Sequence, residues 1–211
     1  MATKSKKYSE IISHKVLKPN ERTFNKLVNI ILYIIKLENR KLYLTRLLKL
    51  LYIIDEKSVI KIGSPITNLD YKVAEKGPLA DHLWYCVQNN PQLFSDYFEV
   101  KFNNTSVGYS FNAKKQPDLN ILSDFEDDLI KETIKEYKGV DTEKIIKDLH
   151  NDGTLWYKIT KKHNLNFQNP ESSSISKYTI DFKELIKNDD FKLDSYENYL
   201  LRKPQLNDLL S

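Results

Sequence analysis

The sequence predicts a mainly α-helical fold, α+β by a small margin: one compact helical domain carrying a single two-stranded antiparallel β-hairpin. Three observations predict it. Apolar residues recur at helical spacing from Phe24 to Val59. The period switches to two between Phe98 and Phe111. The other apolar residues fall in short segments bounded by capping residues and by Gly or Asn-Pro punctuation.

The elements follow in chain order. Residues 1–20 read as a basic N-terminal extension, with one short helical turn at 8–17, and Pro19-Asn20 closes it. Phe24, Leu27, Val28, Ile31, Ile34 and Ile35 form the buried stripe of a helix over 21–37. Leu44, Leu47, Leu48, Leu51, Ile54 and Val59 do the same for a helix over 45–62, and the two are read as a central pair. Gly63 stops the second helix at a C′ position, with Pro65 just beyond. Residues 64–77 form a connector, extended near 71–74. Gly77-Pro78 leads into a helix over 79–89, with Pro in the first turn, where its missing N–H costs nothing. The hairpin spans 97–112: Phe98, Val100 and Phe102 alternate with polar residues, as do Val107, Tyr109 and Phe111. Ser123 and Glu126 make a capping box for a helix over 124–137. Further helices are expected at 142–150 and 154–162. Residues 21–163 are taken as the domain. Residues 164–211 are taken as a polar C-terminal extension: a loop over 164–177, then weak helices at 182–187, 195–201 and 205–210.

With 211 residues, 40% of them hydrophobic and one Cys, the chain suits one globular domain without an internal disulfide. No segment reaches the ~20 apolar residues that span a bilayer, and no signal-peptide core follows the basic start, so a cytoplasmic location without membrane association is expected. Residues 1–50 hold 12 Lys/Arg against 3 Asp/Glu, a balance of +9 hidden inside the net +4. That basic region suits a nucleic-acid tail, an acidic partner or simply a solvated surface. Arg40, Lys41, Arg46 and Lys49, with Tyr33, Tyr43 and Tyr52, are its nucleic-acid candidates beyond residue 20. The bias of 29 Lys to 4 Arg argues against base-specific recognition.

Catalytic constellations are sparse. His14, His82, His150 and His163 are far apart, and His82 with Cys86 makes two metal ligands of the four that zinc needs. Cys86 lies among Trp84, Tyr85 and Val87, where a thiol behaves as an inert apolar group. Five Gly supply no phosphate loop and no nucleophile elbow. No catalytic, cofactor or metal residue is assigned. An enzyme would need a pocket lined by His82, His150 and nearby carboxylates.

One run carries more. Residues 41–83 contain Leu47, Leu48, Lys49, Leu50, Leu51, Tyr52 and Asp55; then Gly63, Pro65, Ile66 and Thr67; then Tyr71; then Gly77 and Pro78. Leu122, Ser123 and Glu126 follow the hairpin, and Tyr137, Gly139, Leu149, His150 and Trp156 follow those. In order and spacing these resemble the Panacea domain, or SocA-like, family over about 23–162. The resemblance implies an antitoxin of a toxin–antitoxin pair, a non-enzyme that neutralises a cognate toxin by direct protein–protein binding. It also implies an adaptor mode that delivers the toxin to a AAA+ protease, and phage association of some members; the charge pattern adds the alternative of a phage-associated protein that binds nucleic acid through the basic N-terminal region. The extra DNA-binding region of many members is not evident. Aromatic residues dominate interface energetics, so the partner-binding candidates are Tyr43, Tyr52, Asp55, Tyr71, Gly77, Pro78, Trp84, Tyr85, His150 and Trp156. Tyr52 and Asp55 share one helical face, and Asp55 and His150 also read as structural pins at element ends.

Overall fold

A computed structural model describes residues 21–208 apart from 105–107 and 170–171, and the side chains of 22–203 within that span. The basic extension over 1–20, Val107 of the hairpin and the last residues of the 205–210 helix lie outside the described residues.

Mainly helical is the observed class, with eight α-helices and two three-stranded sheets among the described residues. The helices are α1 (Glu21–Glu38), α2 (Leu44–Ile62), α3 (Asp81–Asn89), α4 (Asp124–Tyr137), α5 (Thr142–Leu149), α6 (Leu155–Lys162), α7 (Lys183–Ile186) and α8 (Asp190–Asp208). The strands are β1 (Leu42–Tyr43), β2 (Lys72–Ala74), β3 (Gly77–Leu79), β4 (Phe98–Asn103), β5 (Gly108–Ala113) and β6 (Ile175–Thr179).

α2 is the axis. It is buried on nearly every side, from Leu44 through Asp55 and on to Val59. It touches β1, β3, β5, α4, α5, α7 and α8. A helix apolar over most of its circumference belongs inside a domain, and this one is the inside. α1 is buried as well, from Val28 to Ile34, and rests on α4 and β5, so both helices of the expected pair contribute to the core.

The expected single hairpin is incomplete. β4 and β5 do pair, with Val100 opposite Phe111, but β1 adds a third strand on β5, pairing Leu42 with Phe111 and Tyr43 with Ser110. A second sheet, ordered β3-β2-β6, was not expected, although its strand β2 falls on the stretch read as extended near 71–74. Gly77-Pro78 lies in β3 rather than in the first turn of a helix, and Val73 pairs with Pro78. Three-residue strands are too short to show a period, so nothing in the alternation marks them.

Beyond residue 174 the described chain packs into the core. β6 pairs with β2, and Ile180, Phe182, Ile186 and Tyr196 are buried in the main cluster. One helix, α8, replaces the two weak ones expected after Ser195.

Gly63 shows how closely α8 is seated. Its φ is +77°, and a Cβ there would meet the Lys192 carbonyl oxygen at 2.5 Å and the Ser195 Cβ at 2.9 Å. Its amide donates to Val59 O at 2.8 Å, closing α2. Gly63→Ala therefore meets both a strained left-handed backbone and a clash with backbone. We expect a loss of about 2 kcal/mol or more in urea unfolding, with the urea dependence unchanged.

Candidate partner-binding site and the pins beneath it

The family-like run is built around polar side chains that α2 sends into the core. Asp55 is fully buried. Its Oδ1 accepts from the amides of Ile66 (2.8 Å) and Thr67 (2.9 Å), and its Oδ2 accepts from the hydroxyls of Tyr71 (2.7 Å) and Thr67. Burial pushes its pKa up, and the donors from Thr67, Tyr71 and Ile66 pull the other way. One carboxylate thus shapes the connector from Ser64 to Tyr71. Ser58 helps by donating to the Ser64 carbonyl at 2.6 Å. Tyr71 packs edge-on against Tyr52 at 5.2 Å, and Phe182 closes the aromatic cluster against both. The Tyr52 hydroxyl donates to Glu56 at 2.8 Å.

A second pin stands two turns earlier. Lys49 is 2% exposed, and its side-chain nitrogen donates to the Pro78 carbonyl at 2.5 Å. Desolvation, assisted by the like charge of Lys76, lowers its pKa to about 7. His150 lies beside it: a Cβ on Gly77 would sit 3.4 Å from His150 Nε2 and 3.5 Å from Lys49 Nζ. Gly77 has φ +89°, a left-handed conformation that favours glycine, whereas a Cβ there would make only ordinary van der Waals contact with Lys49 and His150. The His150 ring stacks on Trp156 at 3.8 Å, and the Trp156 indole N–H donates to the Ala74 carbonyl at 2.8 Å. His150 Nε2 is buried without a hydrogen-bond partner. Burial, then the charge of Lys49, lowers its pKa.

The third pin is Arg46. Its guanidinium grips Glu38 through Nε and Nη2, each at 2.8 Å, and donates to the carbonyls of Val140 (2.6 Å) and Tyr137 (2.8 Å). It therefore satisfies the C-terminal end of α4 while tying the end of α1 to the start of α2. Burial acts to raise the Glu38 pKa, but hydrogen bonds from Arg46 and Arg40 outweigh it and hold the carboxyl below its usual range.

The ten partner-binding candidates therefore divide. Tyr52, Asp55, Tyr71, Gly77, Pro78 and Trp156 are buried, and the buried edge of His150 joins them, so these residues shape the interior. Tyr43, Trp84 and Tyr85 are half-buried and reach the surface. The structure does not gather His82 and His150 into one pocket: His82 is exposed on α3, whereas His150 faces Gly77. Burial raises the Cys86 pKa, as suits an unreactive thiol. Among the described residues, no group of three or more His, Cys, Asp and Glu could hold a metal ion, and no helix is long and apolar enough to cross a membrane. Of the nucleic-acid candidates, Arg46, Lys49, Tyr33 and Tyr52 are buried, and Arg40, Lys41 and Tyr43 remain near solvent. Sequence reasoning gave Lys49 and Arg46 no structural role. The available signal was two cations three residues apart inside a helix apolar all round, where a charge has no solvated face to occupy.

Two outcomes follow. Asp55→Ala leaves two buried amides and the hydroxyls of Thr67 and Tyr71 without this acceptor, and we expect a loss of about 3–5 kcal/mol in chemical unfolding. Asp55→Asn, whose Oδ1 can still accept from both amides, should lose clearly less. For Lys49 the folded pKa lies below the unfolded one, so the unfolded chain binds the extra proton between about pH 7 and 10. Stability therefore rises with pH across that window, reaching up to a few kcal/mol from this group. Lys49→Met should flatten the rise, and an equal pH slope in both proteins would contradict the neutral-amine reading.

The geometry agrees with a comparison against known families. A family model described as antitoxin SocA-like, Panacea domain, matches residues 47–157, just over half of the chain. Searches of curated proteins and of solved structures returned no match. The matched span begins at the core residue Leu47, contains all three segments held by Asp55, Lys49 and Trp156, and ends one residue past Trp156. The chain belongs to the SocA-like antitoxin family, through its Panacea domain.

Proposed function

We propose that this protein is an antitoxin that neutralises a cognate toxin protein in the cytoplasm by direct, non-catalytic binding. The observation that carries the reading is family membership across the signature-bearing core. The placement of the reactive side chains supports it. Asp55 is surrounded by donors, Lys49 and His150 lie beneath Gly77, and Cys86 has a raised pKa. Each such group serves packing, which leaves the outer surface as the working part. The surface-reaching aromatic candidates, Tyr43, Trp84 and Tyr85, are the proposed anchors, because large aromatic groups contribute most to interface affinity.

Burial also favours protein over nucleic acid as the partner. Arg46 and Lys49 are committed to internal acceptors, so half of the basic candidates beyond residue 20 are unavailable to phosphates.

The test is co-expression with the product of the adjacent gene. We expect that product to arrest growth alone, and growth to return when this chain is present. The two should co-purify, with toxin abundance unchanged. Failure to rescue would overturn the assignment for that partner. Rescue accompanied by toxin loss that depends on a protease would replace direct blocking with delivery.

A further inference from the structure

The sheet β1-β5-β4 has one face in the core and one outside. Phe98 and Phe111 belong to the inner face and are buried. The register aligns Tyr43, Ser110 and Lys101 across the three strands, and Asn112 with Glu99. Cross-strand neighbours share a face, as do alternate residues along a strand. The outer face therefore presents Tyr43, Glu99, Lys101, Asn103 and Asn112, while Ser110, on the same side, is itself buried and accepts from the Asn103 amide. Beside it the surface forms an open basin of about 660 Å³ between Ile35 near the end of α1, the segment Arg40-Lys41, and Lys101, Asn112 and Ala113 of the sheet.

The charges around this basin do not cancel. Arg40 donates to Glu38 at 2.8 Å, but Arg46 already holds that carboxylate bidentately, so two guanidiniums share one anion. Lys41 donates to the neutral Asn103 amide oxygen at 2.8 Å and lies over the Tyr43 ring at 5.4 Å. Lys101 pairs with Glu99 at 2.9 Å, with both side chains well exposed, an arrangement that holds neither strongly. Four cations thus meet two carboxylates. The strand edge also ends here. β1 pairs with β5 at Phe111 and Ser110, and Asn112 and Ala113, which line the basin, have no partner in β1.

We propose that this basin docks an extended acidic segment of a partner protein, its carboxylates on Arg40, Lys41 and Lys101 and its backbone alongside Asn112 and Ala113. The proposal deepens the antitoxin reading, on which it rests for the identity of the partner. Nucleic acid is the less suitable occupant. The three cations cluster at one concavity rather than tracking a strand.

The test uses the full chain and a fluorescent decapeptide of alternating Glu and Val, followed by anisotropy at low salt. A matched Lys/Val peptide and a 20-nucleotide single strand serve as comparisons. We expect saturable binding of the acidic peptide that weakens at least ~10-fold in the Lys41→Glu/Lys101→Glu variant. Lys147→Glu/Lys162→Glu, which removes the same charge from exposed sites elsewhere, should leave it unchanged, and Lys41→Ala/Lys101→Ala should weaken it without reversing any charge. No saturable binding, equal loss in both Glu double variants, or tighter binding of the oligonucleotide would overturn the proposal. In the growth assay, rescue by wild type but not by the Lys41→Glu/Lys101→Glu variant supports the basin as the toxin face. Rescue by both overturns it there while sparing the antitoxin reading. No rescue by wild type overturns that reading and leaves the peptide result standing.

Discussion

The carboxylate of Asp55 is the interaction on which the rest of this structure depends. It sits on the central helix with no solvent exposure and four donors around it, two backbone amides and two hydroxyls. A buried charge is expensive unless its lone pairs are all engaged, and here the engaged groups come from a connector with no regular structure of its own. The shape of Ser64–Tyr71 is thus set from inside. From there the chain enters β2, and β2 carries both β3 and β6. The Ile180 amide donates to the Tyr71 carbonyl at 2.7 Å, so the C-terminal segment is hung on the same connector. Phe182 then completes the aromatic cluster over Tyr52 and Tyr71.

The central helix repeats the device. Arg46, Lys49 and Asp55 each leave an otherwise apolar helix to satisfy backbone groups of irregular or terminal segments: the end of α4, the carbonyl of Pro78 and the amides after Pro65. Loops that lie inside a protein must find partners for their N–H and C=O groups, and side chains from one rigid helix meet that need. This explains why the family-like residues are so polar and yet so deeply placed. They preserve one interior.

Much of this was legible in the sequence, and the gaps have physical causes. The long helices announced themselves through apolar spacing, and Gly63 and the Ser123–Glu126 capping box marked boundaries that the structure reproduces. Asp55 was readable as a pin because Tyr52 and Asp55 share a helical face. The second sheet was not legible: β2 and β3 have three residues each, and β6 comes from a polar, serine-rich stretch with no alternation to notice. Pro78 was misplaced because Gly-Pro is compatible both with a helix start and with a short strand, and Pro78 caps no helix here. The aromatic candidates could be named but not sorted. Tyr52 and Tyr71 look like Tyr43 and Tyr85 in sequence, and only the packing of Phe182 and Trp156 separates inside from outside. Lys49 was hidden for the opposite reason, since a lysine in a helix is ordinarily solvated.

The account's central claim is that the signature residues hold the interior and that binding belongs to the surface. Amide hydrogen exchange of the free protein and of its toxin complex tests this most directly. The account predicts that the Ile66 and Thr67 amides, which donate to Asp55, exchange only through global unfolding in the free protein, with newly protected amides in the complex confined to surface segments. Rapid exchange of residues 63–78 in the free protein, followed by protection on toxin binding, would contradict it, because the signature would then be the binding element itself.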